Sequence, residues 1–435
     1  MNTNDLLMNW STLSMDEIED RLEAGTDDEA ASQLFGAGEV AEMQALVAEP
    51  KAEGARKKVV LLPGIMGSQL RSIRGTTTLL WINPALFLKG QSSFLELNED
   101  GTRDLHPGIE VAPIALERMI YTKIAVGLRR QVDLYEFPYD WRRPVEFNGD
   151  LLAEYIERWA GGDPDQKFTL VGHSMGGIVS RAYMARHTAA AERRIERLIM
   201  HGTPHFGAAA TVENLVHGNR MMALAGKLND KNSPDRLLLN MPSVYQLLPA
   251  PPDLFPSHRP YPANWDLYDA RAWRMRGIRQ DYLDLAKGFH GMMASADPQV
   301  EIIEIAGCHV DTIIDVKREF DADEKPKYEI IRQQEGADGG DGTVPLWSAI
   351  LPGATIYYAE EVHRDLPKNK KVLKGTLELI HGGKPALSTE MPPFDPGWFS
   401  FETPEPVEES AENLRTNLEE GTASAEDLSQ LYFAF

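Results

Sequence analysis

The chain has 435 residues, of which 43% are hydrophobic and 25% are charged, a composition typical of a globular protein with one large α/β domain or two smaller ones. Its 66 acidic and 44 basic residues give a net charge of −22, which argues against nucleic acid as a partner because phosphates need a basic surface. Cys308 is the single cysteine, and this excludes an internal disulfide and a thiolate metal cluster.

Residues 1–55 form an acidic, alanine-rich segment that we predict to be a helical appendage. Ser14 followed by Glu17 is a capping box, the pattern with which many helices begin. A second interpretation of this segment is an arm that binds a protein partner. The sequence shows neither a basic and apolar leader nor an apolar run long enough to cross a membrane, and we therefore expect a cytoplasmic protein.

The segment 56–385 alternates strand-like apolar runs with helical patterns. One helix is predicted within 151–159, where apolar side chains share a face. A hairpin is predicted from 312–316 and 328–332. The core strands are predicted at 59–62, 132–137, 168–171, 198–201, 300–306 and 354–358. This alternation predicts an α/β fold with a mostly parallel sheet flanked by helices.

Two segments depart from this rhythm. Residues 206–298 are rich in methionine, proline and aromatic residues, and we predict an inserted cap. Most of its apolar side chains should form its own core and a minority should line an acyl-binding groove, since methionine adapts to flexible apolar ligands. We also expect transient contact between this cap and a membrane surface. Residues 386–435 form an acidic, proline-containing tail, which is a second candidate for binding a protein partner.

Ser174 is the candidate nucleophile. It lies in the sequence Gly-His-Ser-Met-Gly, directly after an apolar strand and before a helical stretch. A nucleophile elbow has this arrangement, because the flanking glycines permit a tight turn and the helix start presents amides to a developing negative charge. The other interpretation, a surface serine in an ordinary turn, does not account for the flanking pattern.

A serine of this kind needs a base and a carboxylate, which follow it in the order acid and then histidine. His363 comes just after a predicted strand and is the preferred base, whereas His381 ends a helical run before two glycines and is the alternative. Asp341 lies in a glycine-rich turn and is the preferred acid, with Asp338 as its rival. A calcium loop is another interpretation of this turn, but the closing glutamate of an EF-hand is missing.

Two backbone amides are the candidate oxyanion donors. One belongs to Met175, the residue after the serine, and the other to Ile65, where Gly64 allows a close approach of the chain. His173 and His205 are interpreted as structural hydrogen-bonding residues. The sequence has no zinc-binding His-Glu-x-x-His helix, no phosphate loop and no dinucleotide fingerprint, and we therefore expect neither a metal nor a cofactor.

Six motifs together resemble the lecithin:cholesterol acyltransferase family of α/β-hydrolases, which includes lysosomal phospholipase A2. They run in family order over residues 58–380, and the fragment YDWR at 139–142 is the most specific of them. The resemblance implies an α/β-hydrolase fold, a Ser174–Asp341–His363 triad, oxyanion positions at Ile65 and Met175, and a structural brace at 139–142. The motifs are LPGIMGSQL at 62–70, WINP at 81–84, PYDWR at 138–142, VGHSMGG at 171–177, GTPHFG at 202–207 and GDGTV at 340–344.

The sequence thus predicts a serine-dependent hydrolase or acyltransferase of lipid acyl esters, similar to a lipase or phospholipase A, that works through an acyl-enzyme. The substrate is expected to be a lipid or another acyl ester. Two alternatives stay open. One is an esterase, thioesterase or lactonase that acts on a soluble ester, and the other is a lipase effector regulated by a protein partner.

Overall fold

Eleven strands are found in the computed structural model, which describes residues 3–75, 78–218, 220–336, 338–395 and 407–430. The strands are β1 Lys58–Leu62, β2 Ser68–Arg74, β3 Leu79–Trp81, β4 Glu110–Leu116, β5 Asp133–Glu136, β6 Phe168–His173, β7 Ile195–His201, β8 Glu301–Gly307, β9 Thr312–Phe320, β10 Pro326–Gln333 and β11 Thr355–Ala359.

Six of these strands form one parallel sheet in the order β11-β8-β7-β6-β1-β5. Strand β1 lies between two neighbours, so Val60 is paired with Tyr135 on one side and with Leu170 on the other. Its residues 59–62 are at most 1% exposed, as expected of a parallel strand that is covered on both faces. The predicted parallel sheet is confirmed, and its strands end at one common edge.

Helices flank the sheet: α7 (Val145–Ala160) packs on α8 (Met175–Arg186), and α16 (Lys370–Ile380) packs on α6 (Arg118–Gln131). The helix predicted within 151–159 is part of α7. The helices are α1 Thr3–Thr12, α2 Met15–Ala24, α3 Asp28–Phe35, α4 Ala37–Val47, α5 Pro84–Leu88, α6 Arg118–Gln131, α7 Val145–Ala160, α8 Met175–Arg186, α9 Thr188–Arg194, α10 Ala209–His217, α11 Arg220–Leu228, α12 Pro234–Leu239, α13 Pro242–Gln246, α14 Gln280–Ser295, α15 Leu346–Ala349, α16 Lys370–Ile380, α17 Val407–Glu420 and α18 Ala425–Ser429. Three 3₁₀ helices span Ser92–Leu95, Ala270–Trp273 and His363–Lys368.

The first four helices pack beside the sheet domain rather than extending away from it. The predicted capping box at the start of α2 is confirmed, because Ser14 and Glu17 exchange hydrogen bonds. Helices α2 and α4 lie against α6, and the contact is strongly ionic. Glu19 of α2 pairs with Arg129 and Arg130 of α6, at 2.5 and 2.6 Å. The N-terminal segment is therefore bound to the helix that precedes β5.

Helices α10 to α14 fill the stretch between β7 and β8, where a cap is predicted. Apolar side chains of this stretch, such as Met221, Met241, Trp273 and Phe289, are at most 2% exposed and form an interior. Among the described residues, the large apolar side chains that are more than a third exposed all lie outside 206–298. The C-terminal helix α17 packs on α11, and α18 packs on α3. Residues 396–406 and 431–435 of the predicted tail lie outside the described residues.

A second sheet, in the order β3-β2-β4, was not predicted from the sequence. It is antiparallel and follows the loop after β1, so it fixes where that loop leaves the main sheet. The predicted hairpin is confirmed as the antiparallel pair β9 and β10, and both strands are longer than expected.

Candidate active site

Ser174 lies in a tight turn between the buried strand β6 and helix α8. Its backbone angles, φ 54° and ψ −124°, are rare for a residue with a side chain, and the strain is typical of a nucleophile elbow. The neighbouring glycines make the turn possible. A Cβ on Gly172 would lie 2.7 Å from the nitrogen of Gly177, and a Cβ on Gly176 would lie 2.5 Å from the carbonyl oxygen of Pro63. The requirement for these glycines is confirmed.

His363 and Asp341 continue a chain of hydrogen bonds that begins at Ser174. Nε2 of His363 lies 2.9 Å from Oγ of Ser174, and its Nδ1 lies 2.7 Å from Oδ2 of Asp341. The exposed fractions are 7% for Ser174, 5% for His363 and 1% for Asp341. Because the carboxylate accepts the proton on Nδ1, Nε2 is left to accept the serine hydroxyl. The structure brings all three predicted residues within hydrogen-bonding distance.

The carboxylate of Asp341 is held in one orientation. Its Oδ1 accepts hydrogen bonds from the amides of Thr343 at 3.0 Å and Val344 at 2.7 Å, which leaves Oδ2 for His363. The carbonyl oxygen of Asp341 also accepts from the amide of His363 at 2.8 Å. A Cβ on Gly307, at the end of β8, would lie 2.4 Å from Cβ of Asp341, so this loop sits tightly against the sheet.

The two rival residues have other contacts. His381 is exposed and ends helix α16, where its amide donates to the carbonyl oxygen of Leu377 at 3.2 Å. Asp338 accepts a hydrogen bond from Arg259 at 2.9 Å and forms an ion pair with it. Neither side chain is a partner of Ser174 in the hydrogen-bond chain.

The loop after β1 lies against Ser174. A Cβ on Gly64 would lie 3.0 Å from Cβ of Ser174 and 3.5 Å from its Oγ, so the close approach expected of Gly64 is confirmed. Ile65 follows in this loop and is 6% exposed, while Met175 is fully buried at the first position of α8. Within the described part of the chain, the amides of Ile65 and Met175 donate to no protein acceptor. Both are therefore available to a negatively charged oxygen.

The segment 139–142 supports the loop after β1 through hydrogen bonds. The hydroxyl of Tyr139 donates to the carbonyl oxygen of Pro63 at 2.7 Å, and the indole of Trp141 donates to the carbonyl oxygen of Ser68 at 3.0 Å. Arg142 is 1% exposed and donates to the carboxylate of Asp140 at 2.8 and 2.9 Å. These contacts agree with the structural role that the resemblance implies for this motif.

Glu304 is a buried acid beside the site that the sequence did not reveal. It lies on β8, is fully buried, and accepts a hydrogen bond from the amide of Thr203 at 3.0 Å. His205 Nε2 lies 3.3 Å from its Oε2, and Nδ1 of the same ring faces Arg181 at 3.1 Å. Burial raises the pKa of Glu304 well above its usual value. His205 is thus a structural hydrogen-bonding residue, as predicted. The sequence offers no signal for Glu304, which lies within an apolar strand.

The turn held by Glu304 packs directly on the hydrogen-bond chain. Gly202 has a positive φ of 59°, and a Cβ there would lie 2.7 Å from Oδ2 of Asp341 and 3.0 Å from Nδ1 of His363. Only glycine leaves room for the bond between these two side chains. The glycine of the GTPHFG motif therefore serves the site through its small size.

Clefts among the described residues lie beside Ser174 without including it. One, of about 400 Å³, is lined by Asp341 and His363. The larger, of about 820 Å³, lies among α3, α4 and the residues that follow His363, and it borders Arg364 and Lys368. Ser174 lines neither cleft and is only 7% exposed. Cleft size alone therefore does not locate the chemistry.

Two kinds of feature are absent from the described residues. No helix among them is long and apolar enough to cross a membrane. Within the same part of the chain, no group of three or more histidine, cysteine, aspartate and glutamate side chains is arranged to hold a metal ion.

The parallel sheet, its flanking helices and the serine at the end of β6 define an α/β-hydrolase. The family model for lecithin:cholesterol acyltransferase matches residues 112–277, so this segment is similar to the family that the motifs resemble. The matched segment includes the brace, the elbow and most of the predicted cap.

Two relatives from Arabidopsis thaliana agree with this family. Lecithin-cholesterol acyltransferase-like 4 is 25% identical over 138 residues, which is 31% of this chain and 26% of that protein. Phospholipase A(1) LCAT3 is 24% identical over 191 residues, which is 41% of this chain and 39% of that protein. The chain thus aligns with less than half the length of either curated relative.

Solved structures also match this chain, at low sequence identity. A chain of the Tle4–Tli4 complex has a TM-score of 0.49 and 15% identity, covering 76% of this chain and 99% of that chain. Mature lipase BlEst2 of Bacillus licheniformis has a TM-score of 0.37 and 16% identity, covering 76% of this chain and 91% of that chain.

Proposed function

We propose that the chain is a serine-dependent hydrolase or acyltransferase of lipid acyl esters, of the lipase or phospholipase A type. The observation that carries the proposal is the buried chain of hydrogen bonds from Ser174 through His363 to Asp341. The likeness to the lecithin:cholesterol acyltransferase family supports an acyl ester as the substrate. Cytoplasmic localisation is part of the same proposal, and cell fractionation tests it.

In this mechanism Ser174 Oγ attacks the ester carbonyl carbon while Nε2 of His363 takes its proton. Asp341 keeps the other ring proton on Nδ1 and stabilises the imidazolium that forms. The amides of Ile65 and Met175 donate to the tetrahedral oxyanion. Nε2–H then protonates the leaving alcohol, and an acyl-serine remains. Water or an acceptor alcohol attacks the acyl-serine with the roles of His363 repeated, which gives hydrolysis or acyl transfer.

Labelling with a fluorophosphonate probe tests the nucleophile, because the probe phosphonylates an activated serine. The wild-type chain should be labelled at Ser174, and Ser174→Ala should lose both labelling and ester hydrolysis. Ser180→Ala is the matched control, because Ser180 is another buried serine of α8 whose hydroxyl only donates to the carbonyl oxygen of Gly176, at 2.8 Å. Full ester hydrolysis by Ser174→Ala would show that another residue is the nucleophile.

Substrate aggregation separates a lipid from a soluble ester as the preferred substrate. The predicted cap keeps its large apolar side chains inside and shows none more than a third exposed among its described residues. This observation favours the alternative of an esterase, thioesterase or lactonase. A short-chain ester should be assayed below and above its critical micelle concentration, and mixed phospholipids should be analysed by mass spectrometry. A jump in rate at aggregation and release of fatty acid and lysolipid support the lipid proposal, whereas a smooth saturation curve supports the soluble ester.

Regulation through the N-terminal segment is a third candidate, favoured by its ion pairs with the residues after His363. Glu39 of α4 pairs at 2.9 Å with Lys368, which ends the 3₁₀ helix that begins at His363. Glu42 of the same helix pairs at 2.9 Å with Lys370. We call the segment after β11 that carries His363 the histidine loop. The double variant Glu39→Gln and Glu42→Gln should change activity if α4 controls this loop. Unchanged activity and unchanged oligomeric state would count against this regulation.

A further inference from the structure

The peptide unit between Pro63 and Gly64 is held by a tyrosine hydroxyl on each of its two polar atoms. Its carbonyl oxygen accepts from the hydroxyl of Tyr139, and its N–H donates to the hydroxyl of Tyr121, both at 2.7 Å. Both tyrosines are at most 1% exposed. The next amide in the chain is that of Ile65, so this peptide sets the direction in which the proposed oxyanion donor points.

The hydrogen bonds continue from Tyr121 to the histidine loop, and the donor and the acceptor of each bond are determined by the bond before it. Since Tyr121 accepts from the Gly64 amide, its own proton is directed to Nδ1 of His173, at 2.8 Å. Nδ1 of His173 is then an acceptor, so the ring proton is on Nε2, which donates to the carbonyl oxygen of His363 at 3.0 Å. His173 is 1% exposed and burial lowers its pKa well below the usual value, in agreement with a neutral ring.

We infer that Tyr121 and His173 are positioning residues that align the oxyanion amide of Ile65 with the histidine loop and the elbow. The chain of donors and acceptors joins the three segments that acyl transfer must hold in one geometry: the loop after β1, the elbow after β6 and the loop after β11. Neither side chain is a hydrogen-bond partner of Nδ1 or Nε2 of His363, which bond to Asp341 and Ser174. The ring of His173 packs on the ring of His363 with centroids 4.9 Å apart, whereas the hydroxyl of Tyr121 bonds to the Gly64 amide, so Tyr121 is the residue that tests donor placement.

Loss of the Tyr121 hydroxyl leaves the Gly64 amide and Nδ1 of His173 without partners in a buried site, and the loop is released from its fixed direction. Removal of one oxyanion donor costs about 10²- to 10³-fold in kcat, and a displacement of about 1 Å costs up to about 10²-fold. We expect Tyr121→Phe to lower kcat by about tenfold to a hundredfold, with KM changed by less than about twofold because the ground-state ester does not depend on the oxyanion donors.

The decisive measurement is the ratio of kcat for an ester to kcat for the matching thionoester. Sulfur accepts hydrogen bonds more weakly than oxygen, so well-placed donors favour the ester. A displaced donor lowers this ratio, whereas a smaller folded fraction lowers both rates equally and leaves the ratio unchanged. Tyr245→Phe is the matched control, because that fully buried hydroxyl also accepts from an amide, that of Arg279, and donates to a carbonyl, that of Leu239.

The inference rests on the proposed function, and the outcomes keep the two apart. A lower ester-to-thionoester ratio in Tyr121→Phe, with the ratio of Tyr245→Phe unchanged, supports it. An unchanged ratio in Tyr121→Phe overturns it even if kcat falls. If Tyr121→Phe does not fold, Tyr139→Phe tests the same peptide and should lower the ratio in the same direction; an unchanged ratio there overturns the inference. Ester hydrolysis that survives Ser174→Ala refutes instead the proposed function.

Discussion

Replacement of Asp341 by asparagine should reverse the hydrogen bond to His363, because neighbouring amides decide which way the new side chain points. The amides of Thr343 and Val344 donate to Oδ1 of the aspartate at 3.0 and 2.7 Å. The oxygen of an asparagine takes that place, so its NH₂ group faces Nδ1 of His363. Nδ1 must then accept, the ring proton moves to Nε2, and Nε2 donates to Ser174 instead of removing its proton.

The size of the expected loss in kcat follows from comparing the two possible orientations of the asparagine side-chain amide. The flipped amide would direct NH₂ at two backbone N–H donors and leave them unpaired, at about 1–3 kcal/mol for each buried group. The wrong histidine tautomer is therefore the favoured one. Loss of the correct tautomer costs about 10³- to 10⁴-fold in kcat, or about 4–5.5 kcal/mol of transition-state stabilisation. KM should change little, since the substrate does not contact this side chain.

The assay is hydrolysis of a chromogenic ester by purified Asp341→Asn, with thermal unfolding as a check on the fold. Asp338→Asn is the matched control, because Asp338 is in the same loop but pairs with Arg259 and is 28% exposed. We expect it to keep kcat within about threefold, as partly exposed ion pairs contribute at most about 1 kcal/mol. If folded Asp341→Asn keeps more than about a tenth of the wild-type kcat, the orientation argument is wrong.

Three further variants test the surroundings of the site. Gly202→Ala should abolish activity and destabilise the fold, because the new Cβ would lie 2.7 Å from Asp341 Oδ2, and ester turnover with thermal unfolding measures both. Burial raises the pKa of Glu117 from 4.5 to about 7. At a pH between these two pKa values, Glu117 is protonated in the folded state and ionised in the unfolded state. Stability should fall by up to about 3 kcal/mol from pH 5 to pH 8, and urea unfolding of Glu117→Gln should lack that share of the slope. Glu304→Leu should destabilise by about 1–3 kcal/mol because it leaves the buried Thr203 amide without its acceptor, whereas the half-exposed Glu301→Leu should stay within about 0.5 kcal/mol in the same urea assay.

The main sheet and the elbow could be predicted because their signals are local. The apolar run at 59–62 indicates a buried strand, because a strand covered on both faces must be apolar. The glycines around Ser174 indicate a strained turn, because such a turn has no room for side chains. The hydrogen bond that His363 donates to Asp341 joins residues only 22 positions apart. Glycines flank Asp341 in the sequence and a predicted strand precedes His363. The order of serine, acid and histidine along the chain then left few possible pairs of acid and base.

The residues that were missed act through contacts between distant parts of the chain. Tyr121 lies within the amphipathic helix α6, and its partner His173 is 52 residues away, so nothing near Tyr121 in the sequence distinguishes it from a core aromatic residue. Glu304 lies in a strand whose other residues are mostly apolar. The amide that donates a hydrogen bond to it belongs to Thr203, 101 residues away. The second sheet was missed because β3 has three residues and its pairing with β2 is irregular.

These buried polar residues explain how the loops of the site are held in one geometry. Tyr121, His173 and Arg142 are each at most 1% exposed, and burial of such groups is costly unless every bond is made. Their hydrogen bonds run mainly between loops at the carboxyl edge of the main sheet. Preorganised donors require such rigidity, since an oxyanion loop that moved would lose its alignment at each turnover.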